Sequence, residues 1–165
     1  MPFQFNIGDH VSSQIGFTCF SLAQYRQLKW SRAKLFELVK TNPNCDAYFC
    51  SLPGGRSLTN LINDRSIWVN FAPSIEAPRY GKACLASGEI GIADRAFRMG
   101  KWTVLATLIH ELACLNGASD RGGDSSAEEA VYFCGLGTSE KHDCAVEDLS
   151  WSFLGNHVTE FVAVP

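Results

Sequence analysis

Within Thr103–Gly117, TVLATLIHELACLNG, a single polar pair interrupts an apolar run: His110-Glu111, with Cys114 one turn further on. Imidazole and thiolate are both metal donors. Residues four apart share a helix face, so His110 and Cys114 can grip one ion from adjacent turns. Glu111 projects about 100° away from His110, where its carboxylate can act as a base towards a water on that ion. A catalytic zinc takes about three protein ligands plus an open position for water, whose pKa the metal lowers to near 7. A carboxylate inside ATLIHELACL is costly to bury without a partner, which favours a site over a solvated helix edge.

The spacing is that of H-E-x-x-H, with cysteine in place of the second histidine. Each residue also has a plainer reading. His110 can be a core histidine bonded to a carbonyl, and Cys114 an inert buried thiol. Cys114 and His110 can alternatively pair as an activated nucleophile, although the middle of an apolar helix presents a nucleophile poorly. Glu128 is the preferred third ligand, aimed back at His110 from a second helix. If Ser126 caps that helix, Glu129 takes the capping role and Glu128 is released for metal. If Ser125 is the cap, the two glutamates exchange roles. Asp120, Asp124, His142 and His157 are reserve ligands. His10 carries no motif, and Tyr132 is either core or a donor to a substrate oxyanion.

The elements that must position these groups are legible from periodicity. Leu22, Tyr25 and Leu28, then Leu35, Phe36, Leu38 and Val39, fall at helical spacing. Ser31 is expected to cap the second of two helices, which ends at Asn42-Pro43. Ser51–Arg56 is a loop by its turn residues. Ile67–Phe71 and EIGIAD at 89–94 are short strands. Gly100-Lys101-Trp102 starts the central helix, and Gly117 suits its C′ position, where positive φ is needed. Ala127–Cys134 is a short helix stopped by Gly135, and the last 25 or so residues can supply a closing strand. The sum is an α+β fold in a single domain, 1–165.

Composition excludes several classes. The chain is 46% hydrophobic and only 19% charged, which argues against disorder. A net charge of -3 with scattered basic residues argues against nucleic acid. No apolar run reaches the roughly 18 residues of a membrane span. The N-terminus lacks the pattern of a signal peptide, so the expectation is a cytoplasmic chain or one exported by a dedicated secretion system. Seven cysteines without a C-x-x-C pair make a zinc ribbon improbable. Cys45–Cys50 and Cys134–Cys144 are the disulfides considered.

The segment from Glu89 to Gly137 resembles a group of small bacterial zincin-like metallopeptidase domains. The matching features are EIGIADRAF, the helix ATLIHELAC-LNGA, a gapped loop, and SAEEAVYFCGLG. The resemblance covers about 50 of the 165 residues. It implies a small mixed sheet with an active-site helix and flanking N-terminal helices. It also implies an edge strand beside that helix that binds substrate backbone by strand addition. Carried over, His110, Cys114 and Glu128 hold Zn2+ and Glu111 is the catalytic base, with a peptide lying along the EIGIAD strand. Such domains occur in effectors and toxins of bacterial secretion systems, which implies an immunity or secretion partner protein. Cys114 departs from the family pattern, so a metal-free, zincin-like module that binds a protein partner is the alternative.

Overall fold

The computed structural model describes residues 1–119 and 124–137. In chain order the elements are β1 (Gln4–Phe5), α1 (Leu22–Thr41), α2 (Pro43–Ser51), α3 (Leu58–Ile62), β2 (Trp68–Phe71), β3 (Gly81–Cys84), β4 (Glu89–Ile92), α4 (Asp94–Met99), α5 (Lys101–Leu115) and α6 (Ser126–Phe133). The fold is α+β with a small mixed sheet of order β1-β2-β4-β3. β1, β2 and β4 run parallel, and β3 returns antiparallel to β4. Among the described residues, no helix is long and apolar enough to cross a membrane.

The N-terminal helices differ from expectation. α1 is one uninterrupted helix opened by a capping box between Ser21 and Gln24. Ser31 does not cap anything: it is buried in mid-helix, and its hydroxyl donates to the Lys101 carbonyl at 3.2 Å. A serine hydroxyl satisfied by a neighbouring helix leaves no reason to break the helix there. Asn42 ends α1 as expected and also caps α2, which has Pro43 in its first turn.

Alternation along the strands assigns the two faces of the sheet. A side chain at Gly81 would meet Glu111 and Thr107 of α5, so that face looks towards the helices. Register places Ile92 opposite Gly81, and Phe71 beside Ile92, on this same face. Here β4 contributes Ile90 and Ile92, both fully buried, to a cluster that includes Leu28, Leu35, Leu105 and Leu108. The face opposite carries Trp68, Asn70, Glu89 and Gly91 and is covered by the segment before α1. His10 stacks on Trp68 at 4.1 Å, and Phe17 fills the space over Gly91.

β4 is therefore an interior strand, paired on both sides with all four residues buried. The expectation that a substrate lies along EIGIAD is overturned, because its backbone groups are already consumed by β2 and β3. The outer strand beside α5 is β3, which the sequence reading passed over.

Glu89 is the polar anchor of the covered face. Its carboxylate accepts from the Ser12 hydroxyl, from the Ser13 amide and hydroxyl at 3.2 and 2.9 Å, and from Asn70 Nδ2 at 3.0 Å. His10 Nε2 lies 3.5 Å away. Burial alone would raise its pKa, but these bonds outweigh burial and hold the carboxyl below its ordinary value. A lowered carboxyl stabilises the fold fully above its unfolded value of about 4.3, and that contribution is lost as pH falls through the folded value. Urea midpoints should drop between about pH 5 and about pH 3. Glu89→Gln should lower stability by about 1–3 kcal/mol at neutral pH and flatten that drop; an unchanged pH profile would remove Glu89 as its source.

Candidate functional site

α5 runs under the sheet with every residue from Thr103 to Ala113 buried. Gly100 opens it and Gly117, at φ +88°, closes it as the expected C′ residue. Asn116, at its C-terminal end, is buried and locks the end in place. Its amide donates to the Phe49 and Arg56 carbonyls at 2.8 and 2.7 Å, and its side-chain oxygen accepts from the Arg56 amide. Nothing in the sequence pattern singled out this residue, since an asparagine after an apolar helix reads as a simple terminus.

His110 and Glu111 are both buried, although they point in different directions. His110 faces α6: its Nδ1 lies 3.7 Å from Glu128 Oε1. That is too long for a hydrogen bond. Two donors on one tetrahedral zinc, each about 2.0–2.1 Å from it, stand roughly 3.3 Å apart, so the pair is close to the span of a shared cation. Glu111 instead faces β3. A Cβ on Gly81 would sit 2.8 Å from Glu111 Oε1 and 2.9 Å from its Cγ, so glycine at 81 is what lets the carboxylate lie against the strand.

Between α5 and β3 opens a cleft of about 270 Å³ lined by Glu111, Cys114, Gly81, Lys82 and Arg79, among others. Cys114 is half-buried there. The structure thus brings His110 to Glu128 and Glu111 to Cys114. Among the described residues, no group of three or more His, Cys, Asp and Glu side chains is gathered as a metal cage. Helix geometry sets the Cβ atoms of His110 and Cys114 about 6 Å apart, but Cys114 lines the cleft beside Glu111 whereas His110 faces Glu128. Imidazole, carboxylate and thiolate are each donor types that zinc accepts, and His110 and Glu128 are the two that the structure sets close together.

α6 owes its position to contacts that the expected capping scheme did not include. Ser125 occupies the N-cap position without a side-chain cap. Ser126 is not a cap: its hydroxyl accepts from the Ser119 amide at 2.9 Å, which ties the start of α6 to the residues just after α5. Glu129 is not a capping partner either. It accepts from the Tyr48 hydroxyl at 2.9 Å, and burial together with this bond pushes the Tyr48 pKa well above its ordinary value. Ser125, not Ser126, thus stands at the N-cap, and Glu128 faces His110 rather than taking the capping role expected of it in that case.

A Cys45–Cys134 disulfide pins α2 to the end of α6. Neither disulfide expectation is met. Cys45 and Cys50 lie on one helix five residues apart, and Cys50 is exposed. Cys134 pairs with Cys45, and Cys144 lies outside the described residues. Also outside them are Asp120, His142, His157 and the expected closing strand. Asp124 is exposed and accepts from the Ser126 amide, and His10 belongs to the Glu89 cluster, so neither joins this site. Tyr132 packs edge-on against Phe133.

No protein-family model matches the chain, and no curated protein or solved structure matches it.

Two outcomes follow. Gly81→Ala forces Glu111 and Thr107 aside and should destabilise the fold by about 1–3 kcal/mol, read from urea unfolding; no loss would mean that β3 yields freely. Joint replacement of Cys45 and Cys134 by serine should cost about 2–4 kcal/mol. It should also raise amide exchange in α6 more than in α1; uniform exchange would show that α6 is held by packing alone.

Proposed function

We propose that this chain is a zinc-dependent peptidase-like domain that hydrolyses peptide bonds. The observation that carries this reading is the approach of His110 to Glu128 at 3.7 Å on the helix whose next residue, Glu111, lines a cleft beside an outer strand. His110, Glu128 and Cys114 would hold the metal, whose chemistry is to make bound water acidic and to polarise a carbonyl. Glu111 takes a proton from the attacking water and returns it to the departing amine. Gly81 keeps that carboxylate close to β3, the strand to which an extended peptide would add its backbone. Burial around Glu111 limits competing water. Service as a bacterial effector or toxin, with an immunity or secretion partner, belongs to the same reading.

Cysteine at position 114 supports a second reading, a metal-free module of the same build that binds a protein. Metal analysis separates the two. The peptidase reading expects about one zinc per chain, lost on His110→Ala or Cys114→Ala and on mild acidification, because the thiol must ionise to bind. A carefully purified protein without zinc supports the binding module. Glu111→Gln should keep the zinc and lower turnover by about 10²–10⁴-fold; unchanged turnover would remove Glu111 from the role of base. Rapid alkylation of Cys114 with metal-independent hydrolysis would point to a thiol hydrolase instead.

A further inference from the structure

The cleft beside Glu111 continues around the outer strand. Arg79 and Lys82 line it, and both also line a second hollow of about 410 Å³ walled by Ile15, Phe17 and Ile75. Strand alternation fixes how the two hollows relate to the sheet. Gly81 looks towards α5 and Glu111, so Lys82 looks the other way. Lys82 is paired with Gly91, over which Phe17 lies, and Phe17 is a wall of the second hollow. The first hollow therefore serves the helix face of β3 and the second serves the opposite face. Arg79 and Lys82 stand where the two meet.

Both cations are exposed, and neither forms an ion pair among the described residues. Glu76 is the one carboxylate lining the second hollow, which leaves that hollow one net positive charge on a chain of net charge -3, while Glu111 lines the first hollow on the helix face of β3. We propose that β3 and the two hollows form a binding groove for an extended acidic peptide. A strand added along β3 sends successive side chains to alternate faces. One residue lies over Glu111 on the helix face, and its two neighbours turn to the opposite face, against Arg79 and Lys82. Aspartate or glutamate is selected at those neighbouring positions. The backbone pairing demanded by a strand edge favours polypeptide over nucleic acid. The inference rests on the peptidase reading only for which peptide bond is cut.

The test uses labelled ten-residue peptides that carry Glu or Lys at alternate positions, with fluorescence anisotropy on full-length Glu111→Gln protein. The acidic peptide should bind at least about tenfold more tightly than the basic one, with the preference weakening as salt is raised. The double charge reversal Arg79→Glu, Lys82→Glu should invert the preference; both sites are exposed, and circular dichroism checks that the fold is kept. Equal binding of the two peptides, a preference that survives reversal, or self-association of the protein without peptide binding would overturn the proposal. Parallel cleavage assays on the wild type keep the two readings apart. Binding of acidic peptides without zinc-dependent cleavage sinks the peptidase reading alone, whereas cleavage without charge preference sinks the groove alone.

Discussion

Taking an ionisable side chain out of water is expensive unless structure replaces the lost solvent, and this fold is organised around several such burials. Glu89 is answered by hydroxyls, an amide and a histidine from the segment that covers the sheet. Glu111 lies against a strand that approaches closely because residue 81 has no side chain. His110 and Glu128 are set against each other by the packing of α6 on α5. Each of these arrangements fixes a piece of backbone, so the polar groups define the two faces and the outer edge of the sheet.

The first and third of these do different work. Glu89 sits on the face away from α5, and its partners, Asn70 of β2 apart, come from a loop that otherwise exposes Val11 and Ile15. It holds a cover in place. Glu128 reaches its position through α6, which has no side-chain cap of its own and is steadied from outside by Tyr48, Asn42 and Cys45, all from α2 or its cap. Asn42 donates to the Phe133 carbonyl at the end of α6, and Tyr48 stacks on Phe133. Elements next to each other in space but about 80–90 residues apart in the chain thus share one polar and covalent seam.

Much of this was legible in the sequence. The central helix, its glycine terminus, β2, β4 and α6 follow from periodicity and turn residues, because each carries its own local signal. Glu128 was expected opposite His110 and lies 3.7 Å from it, but the Ser126 cap on which that expectation relied is not there. The misses have physical causes. Ser31 looked like a cap because serine favours caps, and only the neighbouring Lys101 carbonyl makes it comfortable in mid-helix. β3 escaped notice because GKAC has no alternating apolar pattern; an outer strand needs none. Its signal was the turn Ser87-Gly88 between two short runs, with Gly88 at φ +68°. The Cys45–Cys134 bridge joins residues whose approach depends on tertiary packing, which spacing does not encode.

That bridge closes a loop of the backbone that contains α3, the whole of α5 and every strand except β1. A protease that nicked the chain anywhere inside this loop would not separate the pieces. The fragments would stay tethered through sulfur and migrate as one species until a reductant divided them. Integrity of the main chain and integrity of the molecule are therefore two separate properties in this protein.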